Sequence, residues 1–308
     1  MTPPLMHVTS VSGGKDSAAA VLHLREQGKP QRLVFFDTGW EHALTYAHLD
    51  YLQDAFGLPI ERWGCVVDLP EHLVEQAEKI EAVLGIPNSA FVRLCLKKTI
   101  FPRRTVRFCT QLLKVFEAVK VIRQEHDAGR LPINVVGIRA AESAARSKLG
   151  EYEVSPTLDC MVWRPLIRWS EQDVIDIHRR HNVKPNPLYL QGASRVGCFP
   201  CIMARKAELR MVGRDANRVE AIRMLEAAVQ ESLRARLVGE ATFNPPALFT
   251  ASRRDSNGDR PGILIDEALR WAATADGAPL EQERLFPEQD DPDEGCMRWG
   301  MCDTEHAP

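Results

Sequence analysis

The chain has 308 residues, of which 44% are hydrophobic and 26% charged, and its formal net charge is −3. That is an ordinary globular balance, and the bulk charge does not announce a nucleic-acid binder. No apolar run reaches membrane-spanning length, and residues 1–8 lack a basic stretch followed by an apolar core, so the cytoplasm is the expected compartment.

In chain order, Met6–Val11 reads as a strand ending in a glycine turn, and Lys15–Gln27 as a helix stopped by Gly28. Arg32–Asp37 is a buried strand, Glu41–Phe56 a helix stopped by Gly57, and Ile60–Val67 a third strand. Helices follow at Glu71–Leu84 and Thr110–Gln124, then a strand at Ile133–Ile138 and an apolar strand around Cys160. Ser170 and Asp173 form a capping box for a helix running to Arg180. Asn182–Gly197, rich in Pro, Asn and Gly, reads as loop, and Ala204–Val238 as charged helix. Strands alternating with helices predict an α/β, Rossmann-like, doubly wound and mainly parallel sheet. The expected boundary lies near residue 195, separating a nucleotide-binding domain (1–195) from a helical, cysteine-bearing region (196–308).

The segment Ser12-Gly13-Gly14-Lys15-Asp16-Ser17 joins the first strand to the first helix. Two glycines let backbone N–H groups approach a phosphate, the helix N-terminus adds partial positive charge, and Lys15 adds a full one. It is not a Walker A loop. Asp37 ends a strand where open sheets bind ligands. It suits a ribose hydroxyl or a nucleotide-bound magnesium, with a helix cap as the alternative. Arg139 follows another strand and suits phosphate. Trp163 and Trp169 read as packing residues.

Eight cysteines are many for a reducing compartment, where grouped thiols point to metal or catalysis. Cys198 and Cys201 form a C-x-x-C, which suits a cluster, zinc or a redox dithiol. Cys65 and Cys95 read as small buried hydrophobes. Two basic runs, Lys97 to Lys114 and Arg205 to Arg218, read either as solvated faces or as a charged-substrate surface.

The SGGKDS segment resembles the PP-loop of adenine-nucleotide α-hydrolases, which cleave ATP between its α and β phosphates. Further segments resemble the phosphoadenosine phosphosulfate (PAPS) reductase family: Phe36-Asp37-Thr38-Gly39; Gly137-Ile138-Arg139 with Glu142, Ser143 and Arg146; Trp163 to Leu166 with Trp169, Ser170, Asp173 and Val174; Asn186 to Tyr189; and Gly197-Cys198. The resemblance runs in order over residues 6–210. It implies nucleotide contacts from Ser12 to Ser17 and at Asp37, Thr38, Gly137 and Arg139, with catalysis by Lys15, Asp16 and Arg139. Arg107 to Thr110 with Leu113 and Lys114 resembles a segment of the family's iron–sulfur members. Cys109, Cys198 and Cys201 are then the implied ligands of a 4Fe-4S cluster, with zinc as the alternative. Cys302 is the first choice for a fourth ligand and Cys296 the second.

The chain also departs from the dedicated reductases. Gly300 to His306 does not match their C-terminal nucleophile motif, and Cys109 is single where adenylyl-sulfate reductases pair two cysteines. The complete phosphate loop resembles more the ATP-using, cluster-bearing branch, such as the sulfur-transfer ATPase of DNA phosphorothioation. That implies magnesium-ATP, adenylation of an acceptor oxygen, and a sulfur donor such as a cysteine desulfurase. The acceptor stays open between a nucleobase, a DNA phosphate and a small molecule. The alternatives are PAPS or adenylyl-sulfate reduction to sulfite, ATP sulfurylase small-subunit activity, and a non-catalytic nucleotide and redox sensor.

Overall fold

The computed structural model describes residues 3–236, 246–250 and 261–274. Cys296, Cys302 and the acidic run from Asp290 to Glu294 lie outside the described residues.

The chain opens with β1 (Leu5–Ser10), α1 (Lys15–Glu26), β2 (Gln31–Asp37), α2 (Ala43–Phe56) and β3 (Ile60–Gly64). Two helices follow, α3 (Glu71–Leu84) and α4 (Ala90–Lys98). A short α5 (Phe108–Thr110) runs through a π-helical turn, Gln111–Val115, into α6 (Phe116–Asp127). Then come β4 (Leu131–Val135), β5 (Tyr152–Ser155), β6 (Cys160–Trp163), α7 (Glu171–Arg180) and α8 (Pro187–Leu190). The last described elements are α9 (Lys206–Gly213), α10 (Ala216–Arg236), the small ribbon β7 (Phe249–Thr250) and β8 (Gly262–Ile263), and α11 (Ile265–Ala273).

The main sheet has the order β3-β2-β1-β4-β6-β5. All its pairs are parallel except β5 with β6, an antiparallel edge. Its central strands are apolar on both faces because helices cover both. Leu33 and Phe35 pack with α1, α2 and α7, while Val34 and Phe36 pack with Val121 and Ile122 of α6. The chain winds from β1 to β3 on one side, then crosses to β4 on the other. This reversal opens a crevice past the carboxyl ends of β1 and β4, the expected ligand position in such a sheet. The loop after β1 carries Ser12–Ser17, and the loop after β4 carries Arg139.

The doubly wound sheet agrees with the sequence reading, and Glu71–Leu84 and the Ser170–Asp173 capping box match it residue for residue. Several local readings change, and the strand expected over Ile133–Ile138 stops at Val135. The third strand stops at Gly64, and the loop after Asn182 contains α8, entered through an Asn186 side chain that accepts the Leu188 N–H. α4 is an addition to the sequence reading; it starts where the Ser89 hydroxyl accepts the Val92 N–H. The charged segment after Ala204 is two helices. Asp215 divides them by accepting the Arg218 N–H on its carboxylate (2.9 Å) and the Val219 N–H on its carbonyl (3.0 Å), which starts a new helix.

Residues on both sides of position 195 share one core. Trp40, Leu73, Ile80, Phe91 and Leu96 pack in a single apolar cluster with Leu209, Ile222, Leu225 and Ile265. The second basic run is not a uniformly solvated face either. Lys206 and Arg218 are buried, with Lys206 donating to the Thr274 hydroxyl and carbonyl (2.6 and 3.1 Å).

Candidate active site

The phosphate loop is built from short-range contacts. The Ser17 hydroxyl donates to the Gly14 carbonyl (2.8 Å) and accepts the Ser12 N–H (3.1 Å), which closes the loop on itself. Gly13 has φ of +73°, and a Cβ there would stand 2.8 Å from Thr45 Cγ2 of α2. Asn186 donates to the Gly13 carbonyl (3.2 Å), and the Tyr189 hydroxyl accepts the Lys15 N–H (3.2 Å), so α8 braces the loop from outside. The N-cap of α1 is Gly14, which has no side chain to satisfy the first-turn N–H groups. The Tyr189 hydroxyl serves the first of these groups, the Lys15 N–H, from outside the helix.

Charge converges on the same place. Lys15 is buried, its Nζ lying 3.3 Å from Asp16, 3.4 Å from Glu171 and 5.1 Å from the centre of the Tyr189 ring. Arg139 is buried too, and its Nε donates to Asp16 Oδ1 (2.5 Å). Its backbone N–H donates to Glu142 (2.8 Å), which also pairs with Arg146. Asp16 therefore holds both cations beside the loop. Gly137 allows this junction: a Cβ there would lie 2.5 Å from the Asp16 carbonyl oxygen. The strand can approach the helix start only because residue 137 has no side chain.

Asp37 ends β2. Its Oδ1 accepts the Gly39 N–H (2.8 Å) and the Tyr46 hydroxyl (2.7 Å), and the cap of α2 is His42, so Asp37 does not cap that helix. Thr38 donates to both oxygens of Glu41 (2.8 and 3.0 Å) and lies 3.8 Å from Cys198 Sγ. Glu41 is 1% exposed. It forms an isolated antiparallel bridge with Cys198 and accepts from the Cys198 thiol at 3.8 Å.

The structure brings Cys109, Cys198 and Cys201 into one neighbourhood. Burial pushes the Cys198 thiol up to about 12, with the Lys114 ammonium pulling it the other way. Burial likewise raises Cys109, and Cys201 adds to the rise. The helix-start position of Cys109 therefore does not give it the lowered pKa expected of a thiol at a helix N-terminus, because desolvation dominates. Cys198 in turn is the strongest influence raising Lys114, with Glu41, Cys201 and Cys109 acting the same way against burial. The Lys114 ammonium thus lies near enough to three sulfurs and a carboxylate for all four to favour its charge. It projects from the π-helical turn, a widened geometry found mostly at functional sites.

The C-x-x-C loop is held by long-range contacts. Phe199 N–H donates to the Trp40 carbonyl (2.8 Å), and Trp40 Nε1 donates to the Pro200 carbonyl (3.0 Å). The Arg218 guanidinium, 5.1 Å from the Trp40 ring centre and 5.7 Å from that of Phe199, donates to the Glu41 carbonyl (3.0 Å). Burial lowers its pKa to about 10, and its Nε and Nη1 have no partner among the described residues. A cleft of about 430 Å³ adjoins this loop, lined in part by His42, Gln191, Phe199, Arg214 and Asn217.

Among the described residues, no group of three or more His, Cys, Asp and Glu side chains is arranged to hold a metal ion. The donor chemistry of the three cysteines nonetheless fits a thiolate-held cluster or zinc, since soft sulfur ligands select both, and Lys114 offsets their charge. Cys95 is fully buried, as a small buried hydrophobe should be, whereas Cys65 is only half-buried, because it lies just past the end of β3 between exposed Gly64 and Val66. Lys97, Lys98, Arg103, Arg104 and Arg107 are exposed just ahead of Cys109.

Sequence reasoning misses Glu41, Tyr46, Glu171 and Arg218. It marks Asn186 and Tyr189 as part of a segment without giving them a role. Only those two carry a signal in the sequence, an N-P-x-Y run in a loop. Single acids and an arginine within a basic run carry none.

The profile of the phosphoadenosine phosphosulfate reductase domain matches residues 6–204. An uncharacterised 37.8 kDa protein of Escherichia phage 186 is 38% identical over 237 residues, covering 66% of this chain and 69% of its own length. An uncharacterised protein of Methanocaldococcus jannaschii is 26% identical over 210 residues, 68% of this chain and 38% of its own length. Adenosine 5'-phosphosulfate reductase of Mycobacterium bovis is 25% identical over 176 residues, 57% of this chain and 58% of that one. Among solved structures, the PAPS reductase of Candida auris in its phosphate complex aligns with a TM-score of 0.43 and 18% identity, over 63% of this chain and 81% of that one. No helix among the described residues is long and apolar enough to cross a membrane.

Proposed function

We propose a function from one premise: this chain belongs to the phosphoadenosine phosphosulfate reductase domain family. It binds ATP at Ser12–Ser17, adenylates an oxygen of an acceptor, and supports replacement of that oxygen by sulfur. The observation that carries this reading is the intact phosphate loop, with Lys15 and Arg139 both drawn to its edge by Asp16. A loop of two glycines under two buried cations suits a triphosphate tail.

In the first step the acceptor oxygen attacks the α-phosphorus. The new O–P bond forms as the bond to pyrophosphate breaks, and pyrophosphate carries away the electron pair. Lys15 and Arg139 neutralise the charge that grows on the leaving phosphates. Asp37 and Thr38 orient the nucleotide, and magnesium would shield its phosphates. In the second step the outer sulfur of a persulfide, delivered by a donor such as a cysteine desulfurase, attacks the activated centre. AMP leaves with the acceptor's former oxygen, and a thiol reductant then cleaves the resulting S–S bond to free the thiolated acceptor. Cys109, Cys198 and Cys201 would hold a 4Fe-4S cluster, supplying a bound store of sulfur or electrons beside the acceptor cleft. The exposed basic run from Lys97 to Arg107 favours a nucleic-acid acceptor, whose binding should fall steeply with salt.

The experiment is an assay of pyrophosphate and sulfite on anaerobically prepared protein. ATP-dependent pyrophosphate release without sulfite supports the proposal. The likeness to adenosine 5'-phosphosulfate reductase favours a second reading, reduction of adenylyl sulfate or PAPS to sulfite. Sulfite formed from adenylyl sulfate or PAPS with a thiol reductant would establish it. Nucleotide binding with neither product would leave a sensing module.

A further inference from the structure

The mechanism makes no use of the most buried carboxylate near the site, Glu41, or of the tyrosine beside it. We infer that Tyr46 and Glu41 couple the nucleotide end of the site to Cys198, so that a change at one end alters affinity at the other. The inference rests on the proposed placement of a nucleotide against Asp37.

The contacts form one chain. The Tyr46 hydroxyl donates to Asp37 Oδ1 at 2.7 Å and also lies 3.3 Å from Glu41 Oε2. A phenol carries one proton, so it serves one carboxylate well at a time. Here it favours Asp37. Glu41 draws instead on Thr38 and the Trp40 N–H, and a backbone bridge pairs it with Cys198. When a ribose hydroxyl or a metal-bound water donates to Asp37, the demand of that carboxylate is met. The Tyr46 proton is then released toward Glu41. A Glu41 oxygen that gains Tyr46 holds Thr38 less tightly, and the bridge between residues 41 and 198 passes the change to the C-x-x-C loop. Burial makes the exchange matter, since an unpaired carboxylate oxygen at this depth has no water to turn to. Linkage requires the reverse effect too: loosening Cys198 must change nucleotide affinity by the same factor.

The test is a double-mutant cycle on the full chain, read as the magnesium-ATP dissociation constant by calorimetry. The variants are Tyr46→Phe, Cys198→Ala and their combination, with circular dichroism checking the fold. The Tyr46→Phe change keeps the ring that packs edge-on against Phe35, so only the hydroxyl is lost. The inference expects Cys198→Ala to change ATP affinity in the parent but not in the Tyr46→Phe background, a coupling of about fivefold or more. A structural role for Tyr46 alone would give independent effects. Additive effects, with ATP still bound, overturn the inference and leave the proposed function standing. Loss of all ATP binding in the parent protein overturns both. If Cys198→Ala fails to fold, Cys198→Ser completes the same cycle, and Glu41→Gln should remove the coupling as Tyr46→Phe does.

Discussion

The two ends of the candidate site are built in opposite ways. At the phosphate end, six consecutive residues make the loop, and the hydrogen bonds that close it run between residues three to five apart, with Asn186 and Tyr189 bracing it from α8. At the cysteine end, Cys109, Cys198 and Cys201 come from distant parts of the chain. Their frame is Trp40 against Phe199 and Pro200, with Arg218 donating to Glu41 across a separation of 177 residues. A local loop depends on backbone geometry, so its weak points are glycines. A long-range assembly depends on side-chain packing and charge, so its weak points are buried polar groups.

The largest expected effect comes from Gly137→Val. Its side chain would overlap the start of α1, so nucleotide binding should be lost, with about 1–3 kcal/mol of stability. Calorimetry and thermal melts check this. Retained iron at the other end would show that the two ends fail separately, whereas unchanged ATP affinity would contradict the close approach seen here. Next is Lys15→Ala, which should lower ATP-dependent pyrophosphate release roughly a hundredfold while the fold persists. A loss of only a few-fold would remove Lys15 from the chemistry.

At the cysteine end, Cys109→Ser, Cys198→Ser and Cys201→Ser should each abolish a brown chromophore and lower iron content. Stoichiometric zinc without sulfide in anaerobic protein would reject the cluster and leave a structural thiolate clasp.

A smaller effect involves Glu226 of α10, the helix that also carries Arg218. Glu226 accepts the N–H groups of Leu248 and Ile265 (3.1 and 3.0 Å), and burial raises its pKa from 4.5 to about 7. Between those values the folded chain keeps a proton that the unfolded chain has released. Stability from this group is therefore full below pH 4.5, falls as pH rises toward 7, and levels off above it. Denaturant titrations at about pH 5, 6, 7 and 8 should follow that fall, and Glu226→Gln should flatten it. A slope unchanged by the substitution would assign the dependence to other groups. The smallest effect is that of Cys65→Ser, which should leave iron content and nucleotide affinity unaltered; lost iron would add a cysteine the site does not include.

The alternating sheet, the phosphate loop, Asp37 at the end of a strand and Arg139 shortly after another are legible in the order of residues alone. Each follows from residues adjacent in the chain: apolar periodicity, a glycine pair, a polar group at the end of an apolar run. Spacing and resemblance also single out Cys109, Cys198 and Cys201. What surrounds them follows from the fold. Folding brings Glu41 against Cys198, sets Lys114 of the π turn near the cysteines, and buries Arg218 of a run that reads either as solvated or as a substrate surface. It also divides the segment after Ala204 at Asp215 and joins its helices to the core of α3 and α4. These are outcomes of desolvation and long-range packing. A carboxylate or guanidinium looks the same in sequence whether water or protein surrounds it, and only the folded chain sets which neighbours replace that water.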